Sequence, residues 1–201
     1  MANVDNPHGL TPIEHLNGNP WNGATRRCRV DATAGDLFVG DAVVWNGSGS
    51  AGYPEVVEAT AGDGNKIFGV IVSFEPQPSS SLETLYIASA DSGWANVCVD
   101  PDVVYMGQVD GVVGSDDIGQ TTNLVTTHSG DTTTGISGME VDATTAGGGY
   151  SSYQLMIIGG VDRPDNDLTL THAEYKVIIN LHSLRAVNTS AGGAAEGATG
   201  V

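Results

Sequence analysis

The chain has 201 residues, 40% of them hydrophobic and 28 of them glycine, which suits one sizeable domain or two small ones made of short apolar runs and frequent turns. Lys and Arg number 7 against 24 Asp and Glu, a formal net charge of -17, and the resulting field repels phosphate and anionic lipid headgroups. Neither nucleic acid nor membrane is therefore an expected partner, and no apolar run approaches membrane-spanning length.

Residues 1–24 hold Pro7, Pro12 and Pro20 among several Asn and Gly, which breaks any continuous helix and predicts an extended N-terminal arm. The opening, Met1 to Pro7, has neither the basic end nor the apolar stretch of a signal peptide, so synthesis in the cytoplasm is expected. Ile13, Leu16 and Trp21 give the arm apolar anchors. Such anchors are costly in water, so the arm is expected to lie against its own domain or a neighbour's.

From Thr25 onward, short apolar runs alternate with turn residues at the spacing of a sandwich or barrel. Strands are predicted at 26–30, 42–45, 55–60, 66–74, 84–88, 94–99 and 103–109. Gly40-Asp41, Asn46-Gly47, Gly62-Asp63-Gly64-Asn65 and Asp91-Ser92-Gly93 punctuate them, all residues that tolerate or cap tight turns. The segment 114–150 is rich in Gly, Thr, Ser and Asp and reads as long surface loops, with weak strands at 124–127 and 136–141. Firmer strands follow at 154–158 and 175–182; in the latter His182 falls on the polar face. The Gly- and Ala-rich residues 187–201 read as a flexible tail. The fold class is thus all-β, a sandwich or barrel-like domain over 25–186 flanked by arm and tail.

Several motifs invite chemistry. Gly47, Gly49 and Gly52 fit GxGxxG after a strand, but Tyr53-Pro54 stands where the phosphate-binding helix would begin, so a hairpin turn is expected. None of the five histidines pairs with another at a metal-ligand spacing, and the acidic loops at 63–65, 115–117 and 162–167 lack the regular offsets of a calcium loop. Cys28 and Cys98 sit far apart in strand-like segments and read as buried free thiols. No nucleophile elbow or Cys/His pair is present, and no enzyme activity, metal or cofactor is expected. Arg27 and Arg29 share one face of a predicted strand, placed to grip carboxylates of a partner or of this acidic chain itself.

The opening Met-Ala-Asn-Val-Asp-Asn-Pro-His-Gly-Leu-Thr-Pro-Ile-Glu-His-Leu-Asn-Gly resembles the start of a family of tailed-bacteriophage capsid decoration, or cement, proteins. Further stretches carry the same resemblance: Gly40-Asp41-Ala42-Val43-Val44 with 68–76, Val99-Asp100-Pro101-Asp102-Val103-Val104-Tyr105, and 175–185. The resemblance implies a non-enzymatic protein on the outer surface of the virion, bound to the major capsid protein and assembled as a homo-oligomer, a trimer first and a dimer second. Ile13, Leu16, Trp21, Arg27 and Arg29 are the expected contacts to capsid or sister subunit. The alternatives are a phage fibre or host-surface glycan-binding adhesin, and a carbohydrate-active enzyme, which would need paired carboxylates of raised pKa in a cleft.

Overall fold

The computed structural model describes residues 3–50, 52–76, 85–148 and 151–185; the expected tail at 187–201 lies outside them. Among the described residues, twelve strands build an all-β architecture containing a closed barrel, as the short alternating runs predict. The first strand, β1 (Thr11–His15), belongs to a sheet completed much later in the chain. The next five close on themselves: β2 (Arg26–Val30), β3 (Ala42–Ser50), β4 (Tyr53–Glu58), β5 (Gly69–Phe74) and β6 (Gly93–Cys98), in the order β2-β4-β3-β5-β6. Alternation decides what each barrel strand buries. Cys28, Val30, Val43, Val56, Ile71, Ala95 and Val97 point inward with no exposure and pack with Leu37, Phe68 and Ile87. The GxGxxG stretch lies in the β3–β4 hairpin, where Ser50 pairs with Tyr53 and a strand follows directly, as the Tyr53-Pro54 sequence requires.

The remaining strands are β7 (Val103–Gln108), β8 (Thr121–Thr122), β9 (Leu124–Val125), β10 (Glu140–Val141), β11 (Leu155–Gly160) and β12 (Glu174–Ile179). An antiparallel sheet runs β1-β7-β12-β11-β8, and β9 with β10 forms a separate two-stranded ribbon. Barrel and sheet share a core: Ala42, Val70 and Cys98 from the barrel pack in one cluster with Tyr105, Leu155, Ile157, Val177 and Ile179 from the sheet. Segment 114–150, where surface loops are expected, also feeds that cluster through Leu124, Met139 and Val141. Isolated apolar residues among Gly and Thr give little period to detect, yet Leu124, Met139 and Val141 are buried while Ile118 and Ile136 stay exposed. Both cysteines are buried free thiols; burial pushes Cys28 up to about 11.

The segment expected as an arm runs along its own domain. Leu10 is buried in the shared core and β1 pairs with β7. The chain reaches that position through a tight crossing at which Gly9 (φ 68°) meets Gly40 (φ 97°). A Cβ on Gly9 would lie 2.3 Å from the Gly40 carbonyl oxygen, and one on Gly40 would lie 2.3 Å from the His8 carbonyl oxygen. Only glycine fits on either side of the crossing.

His182 departs from its expected place on a polar face. The ring is fully buried, its Nδ1 accepts the Leu184 N–H at 3.0 Å, and burial pulls its pKa down to about 4. The sheet strand ends at Ile179, so alternation no longer governs position 182; instead Ile67 and His182 form a parallel bridge that carries the ring inside.

Candidate docking surface and acidic cavity

The outer face of the barrel carries a row of side chains fixed by strand register. Arg29 on β2 stands opposite Trp94 on β6 and Glu55 on β4, so β4-β2-β6 presents Glu55, Arg29 and Trp94 side by side. Two residues earlier, Arg27 reaches the Glu75 carboxylate through two 2.7 Å hydrogen bonds, from Nε and from a terminal nitrogen. Its guanidinium lies 3.7 Å from the Trp94 ring centroid and 5.4 Å from that of Tyr53. Tyr53 meets Trp94 edge-on at 5.0 Å, completing an arginine–aromatic stack. Arg29 donates to Ser92 Oγ at 3.0 Å and lies 3.9 Å from Glu55. The Arg27 hydrogen bonds hold the Glu75 carboxyl below its usual range.

Of the five residues expected as contacts, Arg27 and Arg29 therefore come together on this surface, and both engage carboxylates of the chain itself. The other three sit elsewhere, on and after the sheet edge. Ile13 is half-buried and its carbonyl accepts the Trp21 N–H at 3.1 Å. Leu16 is 47% exposed, with its N–H on the Asp102 carbonyl at 2.8 Å. Trp21 is partly buried against the shared core and lines an apolar groove with Leu10, Pro12, Ile71 and Val72. Trp94 and Tyr53, which complete the arginine stack, were missed: Trp94 falls in an expected strand, but Tyr53 is expected in the turn before one, and the observed strand begins at Tyr53.

A second feature lies in a cavity of about 190 Å³ lined by Asp36, Asp41, Glu58, Thr126 and His128. The Asp41 carboxylate accepts the Phe38 N–H at 2.7 Å and a Ser137 hydrogen bond, which closes the turn leading into β3. Burial nonetheless pushes its pKa up to about 7. Glu58 is also raised, by burial first and by Asp36 second. The cavity thus holds two carboxyl groups that keep protons further up the pH scale than free ones do.

The protein is thus all-β, with an outward arginine–aromatic stack on a closed barrel joined to an open sheet whose edge carries apolar side chains. No protein-family model, curated protein or solved structure matches the chain.

Proposed function

We propose that the chain decorates the outer surface of a phage head, docking on the major capsid protein through the arginine–aromatic face of its barrel. The observation that carries this reading is the Arg27–Trp94–Tyr53 stack, because Arg, Trp and Tyr are the side chains that most often supply interface binding energy when rigidly held. The pairing with Glu75 fixes the guanidinium in place, so little ordering would be lost on docking. Five of the seven cations, Arg27, Arg29, Arg163, Lys176 and Arg185, are engaged in ion pairs within the chain, which leaves the remaining field anionic. A neutral or acidic patch on the shell is the complement of the arginine face itself, and the overall field disfavours the packaged DNA. Assembly as a trimer on a three-fold position would repeat this modest contact around an axis. The sequence resemblance at the opening and at Val99–Tyr105 points the same way.

The test is co-sedimentation with capsids assembled without this protein. The full chain is expected to bind, and Arg27→Glu with Arg29→Glu to weaken binding by more than about tenfold. Binding by the double variant at full strength would remove this surface from the reading, and no binding by the wild-type chain would remove the reading itself.

One observation favours a second reading, glycan hydrolysis: the Asp41 and Glu58 carboxyls, both with raised pKa, share a cavity. Turnover of any polysaccharide by the purified chain, lost in Glu58→Gln, would select it over decoration.

A further inference from the structure

We propose that Asp5, Glu140 and His172 form a binding site for a divalent cation of the zinc class, which on loading pins the N-terminal segment to the end of the open sheet. The inference is independent of the capsid reading. One ligand atom from each of the three side chains lies within 4.8 Å of the other two. Donors around one zinc, at roughly 2.0–2.2 Å from it, stand about 3.4 Å apart, so a closure of up to about 1.4 Å assembles the site. The mobile partner in that closure is Asp5, whose side chain is 65% exposed, while Glu140 is only 2% exposed and fixed.

The hydrogen bonding inside the cluster is incomplete in the way a ligand site requires. His128 Nδ1 stands 2.7 Å from Glu140 Oε2 and orients the carboxylate. The other oxygen, Oε1, is shut away from solvent and has no hydrogen-bond partner. His172 Nδ1 is likewise sequestered and unpartnered; Asp5 Oδ1, at 3.6 Å, is too far for a hydrogen bond. A buried carboxylate oxygen and a buried ring nitrogen left unsatisfied cost stability unless a third group meets both. A divalent cation is such a group. Two carboxylates and a divalent ion also cancel in charge, relieving the repulsion between Asp5 and Glu140.

The surroundings hold the three ligands in register. Gln108, at the end of β7 and nearly fully buried, donates from Nε2 to the carbonyls of Val4 (2.9 Å) and His172 (3.1 Å) and accepts the Asn6 N–H at 2.9 Å. One side chain thereby ties the Asp5 segment to the His172 loop. Asn3 adds a second tie, donating to the Asp167 and Thr171 carbonyls at 2.9 Å each and accepting the Asp167 N–H at 2.8 Å. An imidazole with two carboxylates and room for water as a fourth donor suits zinc, whereas calcium takes six to eight oxygens.

Chelator-treated full chain is titrated with Zn(II) in a calorimeter and followed by thermal melting. One ion per chain and a raised melting midpoint are expected. Asp5→Asn, an exposed change that leaves the fold untouched, is expected to weaken Zn(II) binding by at least about tenfold, and Glu140→Gln to abolish it. Zn(II) should also slow proteolysis within residues 3–8 in the wild type and not in Asp5→Asn. No stoichiometric binding by the wild type, unchanged binding in Asp5→Asn, or preference for Ca(II) over Zn(II) would each overturn the proposal.

Discussion

Barrel and open sheet face the same difficulty, the unpaired edge of a strand, and meet it in opposite ways. In the barrel, β2 pairs with both β4 and β6, so every one of its strands has two neighbours and no edge remains. The sheet ends in β1 on one side and β8 on the other. Its edges are protected by their own chemistry. β1 carries Pro12 and a register shift before Glu14, and the returning chain takes its outer groups through His15 N–H to Asn19 and Trp21 N–H to Ile13. At the far side, β8 is only two residues long. Closure lets a strand be read from its own alternation, whereas an edge depends on what comes back to cover it.

That contrast concerns edges; the interior is shared, and the largest predicted effects follow from it. Ile71→Ala in the barrel interior and Leu155→Ala in the sheet each remove a fully buried side chain and should cost about 2–5 kcal/mol in urea unfolding. Because one cluster joins Ala42, Val70 and Cys98 to Tyr105, Leu155 and Val177, both variants should unfold in a single transition. Two transitions, with each variant shifting only its own, would make barrel and sheet separable units.

A smaller effect separates the two regions by pH. His182, beside the sheet, has a folded pKa near 4 against an ordinary 6.5, so its contribution is full above pH 6.5 and is lost as pH falls toward 4. Asp41, at the entry to barrel strand β3, has a folded pKa near 7 against 3.8, so its contribution is full below 3.8 and is lost as pH rises toward 7. His182 is worth on the order of 3 kcal/mol and Asp41 on the order of 4 kcal/mol across their windows, and between pH 4 and 6.5 they oppose. Asp41→Asn keeps an acceptor for the Phe38 N–H and removes one side of the balance. Its urea midpoint should climb from pH 4.5 to 6.5 and exceed that of wild type at pH 8. A variant less stable than wild type at pH 8 would mean that the charged carboxylate is needed there, contrary to its role as a turn acceptor.

The same contrast explains what could be read from the sequence. Part of every barrel strand was legible, because Cys28/Val30 against Arg27/Arg29 and Ala95/Val97 against Trp94/Asn96 alternate over enough residues to show a period of two. But β3 runs on through the expected turn at Asn46-Gly47, and of the strand expected at 84–88 the described residues keep only an isolated Leu37–Ile87 bridge. Both sheet edges escaped: β1 is interrupted by Pro12, and β8 is two residues in a Thr-rich stretch. The burial of Gln154 was equally hidden. Its side-chain amide donates to the Thr60 carbonyl and accepts the Gly62 and Leu124 N–H groups, and such a hub has no sequence signature. The Asp5, Glu140 and His172 group draws one residue from each of three distant segments, so a search for local ligand spacing passes over it. The pairing of Arg27 and Arg29 on one face was readable; their carboxylate partners were not, since Glu75 lies 48 residues away.

The smallest effect on stability falls on the arginine–aromatic face proposed for docking. The Arg27–Glu75 pair is partly exposed, at 39% and 31%, and exposed ion pairs contribute about 1 kcal/mol or less to folding, bidentate ones standing at the upper end. Arg27→Lys keeps the charge but loses the fork on Glu75 and the flat stacking over Trp94. Its thermal midpoint should fall by less than that of Ile71→Ala, while its affinity for capsids should fall clearly. A face built to hold the barrel together would show the reverse, a large loss of stability with capsid affinity preserved in the fraction that remains folded. The barrel has no edge for Arg27 to protect and its interior is filled by Cys28, Val30 and their neighbours, so an arginine stacked on two aromatic rings outside it adds little to the fold. What the stack does add is a rigid, partly exposed patch of the side chains that bind partners best.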